Sequence, residues 1–126
     1  MEPRMEKSIL IVDDSFSLRQ TISIALRTAG YNVVEASDGR DALKQLDGRK
    51  FNLIISDLNM PNLDGLNFVR EMKQMTAYRF TPVIMLTTES GEALKQEGKA
   101  AGIRAWVHKP FQPAVLLEAV AKLVLP

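Results

Sequence analysis

The sequence predicts an α/β fold: a doubly wound, five-stranded parallel sheet of order 2-1-3-4-5 in a (βα)5 three-layer sandwich. Three observations predict it. Apolar runs rich in β-branched residues alternate five times with stretches of helical apolar spacing. The runs are continuous rather than alternating, as in strands that helices cover on both faces. One hundred and twenty-six residues, 46% apolar and 25% charged, suffice for one core and leave no room for a second. Right-handed crossovers with helices on both faces then make 2-1-3-4-5 the simplest order, the winding reversing beside the first strand.

The first strand is Ile9-Leu10-Ile11-Val12, stopped by Asp13-Asp14-Ser15. Leu18, Ile22, Ala25, Leu26 and Ala29 form the stripe of an amphipathic helix that Gly30 ends. Val33-Val34 is a short second strand, and Ser37-Asp38-Gly39 opens a helix bearing Ala42, Leu43 and Leu46 that stops near Gly48. The third strand runs from Phe51 to Ser56. A turn-rich stretch from Asp57 to Gly65 follows, then a helix marked by Leu66, Val69, Met72 and Lys73. Pro82 to Leu86 is the fourth strand, and a weakly apolar helix extends from about Gly91 to Ala101. Ile103 to Val107 is a shorter fifth strand; after Pro110 a helix bears Leu116, Ala119, Val120 and Leu123.

Composition removes several functions. Sixteen Lys and Arg against fifteen Asp and Glu give a formal charge of +1, without the basic footprint of a nucleic-acid or anionic-membrane binder. Without Cys there is no disulfide, thiolate zinc site or thiol nucleophile, and a single His precludes a multi-histidine metal site. Residues 1–7 are short and polar, unlike a secretory signal, and are expected to be a flexible segment ahead of a domain spanning 8–126. No run approaches the roughly 18 apolar residues of a membrane helix, so a cytoplasmic, monomeric protein is expected.

Ligands of such sheets bind beyond the carboxyl ends of the strands, at the point where the winding reverses. Those ends carry Asp13-Asp14 on the first strand, Asp57 on the third, Thr87-Thr88-Glu89 on the fourth and Trp106 to Pro110 on the fifth. Three carboxylates, a hydroxyl and the Lys109 ammonium therefore converge on one rim. Close carboxylates repel by roughly 4 kcal/mol per pair at an effective dielectric near 20, so the cluster calls for a cation. Oxygen donors alone indicate a hard ion, Mg2+ before Ca2+, with Mn2+ as the alternative. A carboxylate beside a metal, a Lys and a Thr is equipped to attack a phosphoryl group. Asp57, on the strand between the other acids and Thr87, is the best-placed nucleophile, and Asp13 and Asp14 would hold the metal.

Each residue also has a plainer reading. Asp14-Ser15 suits a helix cap, Asp57 suits the opening of a turn, Thr87-Thr88 a strand end, Lys109-Pro110 a loop and Trp106 a core position. What favours the site is their joint occurrence, each at a strand's end and in the right order.

Ile11 to Ser15, Asp57-Leu58-Asn59-Met60-Pro61 continuing to Asp64-Gly65, Leu86-Thr87-Thr88 and Lys109-Pro110-Phe111 together resemble the receiver domain of bacterial two-component response regulators, in particular its single-domain chemotaxis members. The resemblance runs from about Lys7 to the C-terminus. It implies a flavodoxin-like fold, and the order 2-1-3-4-5 is that of these chemotaxis members, so the order rests partly on the resemblance. It further implies that Asp57 accepts phosphate from a histidine kinase and that Asp14, Asp57 and the main-chain carbonyl of Asn59 bind Mg2+, with Asp13 acting mainly through water. Lys109 would pair with phosphoryl oxygens ahead of a cis bond to Pro110. Thr87 would turn to the phosphoryl group, vacating space for the aromatic residue of the fifth strand, here Trp106 where Tyr or Phe is more usual. Asn59 and Glu89, each two residues beyond a site residue, would tune dephosphorylation. Implied partners are a chemotaxis-type kinase, a downstream protein such as a flagellar motor switch component, and a phosphatase. The fourth helix, fifth strand and fifth helix would form the docking face. Two other readings stay open: a phosphorelay, phosphate-sink or adaptor receiver outside chemotaxis, and a Mg2+-dependent aspartyl-phosphate phosphatase. The phosphatase reading lacks a first-strand nucleophile with a second acid two residues on, and lacks chain for a cap.

Overall fold

The computed structural model describes residues 7–126; the expected flexible segment lies, apart from Lys7, outside the described residues. The elements alternate β1 (Ser8–Val12), α1 (Phe16–Thr28), β2 (Asn32–Ala36), α2 (Gly39–Gln45), β3 (Leu53–Asp57), α3 (Gly65–Lys73), β4 (Val83–Thr87), α4 (Glu92–Ala101), β5 (Ala105–His108) and α5 (Pro113–Leu123). All four strand pairings are parallel, and the order is β2-β1-β3-β4-β5, as the sequence predicts.

The continuous apolar runs have a simple cause. Side chains alternate across a strand, so Leu10, Val12, Ile54, Val83 and Met85 enter one core with Phe68, Val69 and Met72 of α3. Ile9, Ile11, Leu53, Ile55, Ile84 and Leu86 enter a second with Ile22 and Leu26 of α1 and Leu116 and Val120 of α5. Every residue of β3 and β4 is buried. This two-sided burial fixes where β1, β3 and β4 end, and hence where the residues just beyond them emerge.

Three local expectations shift. The third strand begins at Leu53 rather than Phe51, because Phe51 instead packs against the Tyr78 ring, centroids 6.3 Å apart. The fifth begins at Ala105 rather than Ile103, whose N–H is still turned back to the Gly98 carbonyl as part of the α4 C-terminus. A short 3-10 turn, Thr76–Tyr78, lies in a stretch without a predicted element. It buries Tyr78, whose hydroxyl donates to the Arg49 carbonyl (2.7 Å) and accepts from the Gly48 N–H (2.9 Å).

Helix α4 is the least embedded: Gly98 is its one buried residue, and Gly91 at its N-terminus supplies no side-chain cap. An Arg70–Glu97 ion pair at 3.2 Å links it to α3.

Candidate functional site

The carboxyl edge of β1, β3, β4 and β5 brings the predicted residues together. Asp13 lies one residue beyond β1, and Asp57 is the last residue of β3. Oxygens of Asp13, Asp14 and Asp57 all lie within 4.8 Å of one another. From the neighbouring loop, the Lys109 Nζ donates to Asp57 Oδ1 at 2.9 Å and stands 3.5 Å from Asp13 Oδ2. The Lys109–Pro110 peptide is cis.

The two readings of Asp14-Ser15 separate between the residues. Ser15 is the α1 cap, its hydroxyl accepting from the Leu18 N–H. Asp14, released from that task, stands exposed at the mouth of the cluster. Asp13 is fully buried; its Oδ1 accepts from the Ser15 N–H at 2.8 Å. Its Oδ2 has no hydrogen-bond partner. An orphaned buried carboxylate oxygen, one of three acids answered by one ammonium, leaves negative charge uncompensated. The donors are all oxygen, so the residues present fit a hard divalent cation.

Burial holds the Asp57 carboxyl above its ordinary value, reinforced by the charges of Asp13 and Asp14 and opposed by the Lys109 hydrogen bond. Lys109 is also partly desolvated, which works against its charge, yet its bond to Asp57 and the field of Asp13 raise it overall. Asp57 is thus a less comfortable anion than a surface carboxylate, and the Lys109 ammonium is what opposes its burial.

Thr87 ends β4 and is buried; its hydroxyl accepts from the Glu89 N–H at 2.8 Å. In register, Asp57 faces Leu86, the residue before Thr87. Across the rim, Asn59 Nδ2 donates to Glu89 Oε2 at 2.7 Å, so the two residues singled out at the same offset from Asp57 and Thr87 touch.

Trp106 pairs with Met85 in register and is partly buried on the α4 side of the sheet. A Cβ built on Gly98 would fall 2.2 Å from Trp106 Cζ2, so the indole rests directly on the α4 backbone. That seat has no sequence pattern that would announce it. Gly65 is a second close approach: a Cβ there would fall 2.2 Å from the Asp57 carbonyl oxygen, while its N–H bonds Leu58 O at 2.8 Å. The Asp64-Gly65 pair was visible as a turn signal; that the start of α3 presses on Asp57 was not. Asn62, in the left-handed region at φ 69°, donates to Asp38 Oδ2 at 2.7 Å and closes the loop beside the site.

A family model of the response regulator receiver domain matches residues 9–121. The chain belongs to that family. It is 38% identical over 112 residues to chemotaxis protein CheY1 of Helicobacter pylori, covering 87% of this chain and 90% of that protein. Its fold superposes on Vibrio cholerae chemotaxis protein CheY4 with a TM-score of 0.91 and 45% identity, over 95% of this chain and all of the other. It also superposes on the receiver domain of the sensor histidine kinase PA1611 of Pseudomonas aeruginosa, with a TM-score of 0.85 and 28% identity, covering 94% and 98% of the two chains. That structure is described with a magnesium ion coordinated in its active-site cleft. The flavodoxin-like fold and the receiver family expected from the sequence are both met. Among the described residues no helix is long and apolar enough to cross a membrane.

Proposed function

We propose that this receiver is a Mg2+-dependent phosphorylation switch in which Asp57 accepts a phosphoryl group from a histidine kinase. The observation that carries this is the contact set of Asp57: a buried carboxylate, bonded to the Lys109 ammonium and to the Leu58 N–H (3.0 Å), beside two further acids. Asp13, Asp14, Asp57 and the Asn59 main-chain carbonyl would hold the ion, which when bound supplies charge neutralisation to the phosphoryl oxygens. In the transfer, a carboxylate oxygen of Asp57 forms the new bond to phosphorus as the bond to the donor nitrogen breaks, giving an aspartyl phosphate. Lys109 stays protonated throughout and moves from pairing with the carboxylate to pairing with the phosphoryl oxygens.

The added charge and acceptor oxygens attract the Thr87 hydroxyl away from the Glu89 N–H, at the end of the strand beside Trp106. The phosphoryl group shifts the population only by its different interactions with the two states. Helix α4, lightly held and in contact with Trp106, is the element whose position would follow. The similarity to named chemotaxis proteins supports a chemotaxis or motility pathway, with a motor-switch component or another effector downstream of the α4, β5 and α5 face. Asn59 and Glu89, hydrogen-bonded over the site, would govern water attack on the phosphoryl group. Incubation with a small-molecule phosphodonor and Mg2+, followed by intact-mass analysis, tests the acceptor. One added phosphoryl group, absent in Asp57→Asn and without Mg2+, is expected; the same gain in Asp57→Asn would overturn the assignment.

A further inference from the structure

We propose that Arg19 is a positioning residue for the cation, because it fixes the peptide plane that joins Asp13 to Asp14. This inference rests on the reading of those acids as the Mg2+ site.

The β1–β2 ladder ends with Val12 opposite Ala36, and one last bond joins the Asp13 N–H to the Ala36 carbonyl at 3.1 Å. The Asp13 carbonyl, beyond the ladder, takes its donor from Arg19 Nη1. A buried carbonyl left without a donor is costly, so the contact has a strong reason to persist. It also has leverage: rotating this one peptide plane changes ψ of Asp13 and φ of Asp14, and so re-aims both carboxylates. With the Ser15 N–H on its Oδ1, Asp13 is then anchored through its N–H, its carbonyl and one carboxylate oxygen, leaving Oδ2 as the single oxygen without a hydrogen bond.

The guanidinium is itself immobilised. Its Nε donates to Glu35 Oε1 on β2 at 3.0 Å, and its Cζ sits 5.5 Å from the centre of the Phe16 ring. Glu35 Oε1 also accepts from Gln20 at 3.1 Å, and its Oε2 lies 3.7 Å from Arg27. The Arg19 side chain is only 13% exposed. Glu35, shared with Arg27, offsets the Arg19 charge in part, and the direct contact of Arg19 with the site is to main chain, so its effect on the ion is chiefly geometric. The two possible roles therefore differ in sign. If Arg19 acted as a nearby positive charge, removing it would tighten cation binding; if it positions the acids, removing it weakens binding.

Calorimetric titration of metal-free protein with Mg2+ reads the difference. Loss of a group that orients a metal ligand typically lowers affinity 10–100-fold, and because Arg19 acts on main chain, about tenfold is expected for Arg19→Gln. Arg19→Lys keeps the charge but lacks the fork that reaches Asp13 and Glu35 together, so its affinity should fall between those of Arg19→Gln and the wild type. Phosphorylation by a small phosphodonor should return close to the wild-type rate at saturating Mg2+, since Asp57 and Lys109 are untouched. Should Arg19→Gln fail to fold, Arg19→Lys and Glu35→Gln, which frees the guanidinium, carry the test. Wild-type affinity or tighter binding in the folded variants would overturn the positioning role. A wild type that binds no Mg2+ would overturn it together with the metal site.

Discussion

The contact between Trp106 and Gly98 makes a prediction whose sign depends on one side chain. Replacing Gly by Ala inside a helix ordinarily stabilises by about 1 kcal/mol, because glycine loses more backbone entropy on folding. Here the new Cβ would stand 2.2 Å from Trp106 Cζ2, 3.1 Å from Cη2 and 3.2 Å from Cε2. Carbon atoms pack at about 3.5–4.0 Å, so the indole must retreat by more than about 1 Å or α4 must move. Overpacking of this kind costs roughly 1–3 kcal/mol. Gly98→Ala is therefore expected to lose about 0–2 kcal/mol net where propensity alone promises a gain. In a Trp106→Ala background the obstacle is gone, and the same substitution should stabilise by about 1 kcal/mol. Urea unfolding followed by circular dichroism gives both values, and the two backgrounds form a double-mutant cycle with a coupling of about 1–3 kcal/mol. Trp106 is the sole tryptophan, so its emission also reports directly whether the ring leaves its seat. Equal stabilisation by Gly98→Ala in both backgrounds, with unchanged emission, would refute the reasoning.

Other outcomes follow from the site. Lys109→Met should destabilise the metal-free protein by about 1.5–3 kcal/mol, the range for a charge-assisted bond, and Mg2+ should restore much of the loss in urea titrations by replacing the missing cation. Asp57 is raised in the fold, so the stability it contributes is greatest below its unfolded value and is lost as pH rises through its folded value. Protons also compete with the ion for this carboxylate. Thermal melts with and without Mg2+ should accordingly converge on acidification, beginning at higher pH than an ordinary carboxylate would produce. Asn59→Met should slow loss of the phosphoryl group at least severalfold in a mass-resolved decay, because it removes the polar partner of Glu89 over the site; an unchanged decay would exclude that role. Gly65→Ala should cost at least about 1–3 kcal/mol, measured by urea unfolding, because the atom in its way is the Asp57 carbonyl.

The residues of the acid cluster were legible for a physical reason. A strand buried on both faces is a continuous apolar run, so the first charged residue after it marks the end of the strand and its place on the edge. Asp13 and Asp57 announce themselves in this way, Lys109 follows the less buried outer strand, and parallel pairing puts those ends on one side of the sheet. The shorter outer strand was less clear: Ile103 and Arg104 are apolar and polar neighbours that could extend β5, but the α4 C-terminus claims the Ile103 N–H. Tyr78 looks like any loop aromatic until the Gly48 N–H and Arg49 carbonyl, 30 and 29 residues away in the chain, are brought to its hydroxyl.

What the sequence concealed is the support around the acids, and the concealment has a common cause. Arg19 and Glu35 are 16 residues apart, one on a helix and one on an edge strand, and each alone reads as a solvated surface charge. Gly98 reads as a weak point in a helix. Their roles depend on what the tertiary fold lays against them: a carbonyl beyond the end of a ladder in one case, an indole in the other. In both, the partner is a group on the rim that the sequence does identify. The rim acids are set by the ends of the strands, but the angle at which they would meet an ion is, on our proposal, set by α1 through Arg19. The Trp106 ring is similarly seated by α4 through Gly98. Helices on opposite faces of the sheet thus bear on opposite ends of the same row of residues. Cation geometry and the response of α4 should therefore be separable by mutation, with Arg19→Gln changing Mg2+ affinity without moving Trp106 and Gly98→Ala doing the reverse.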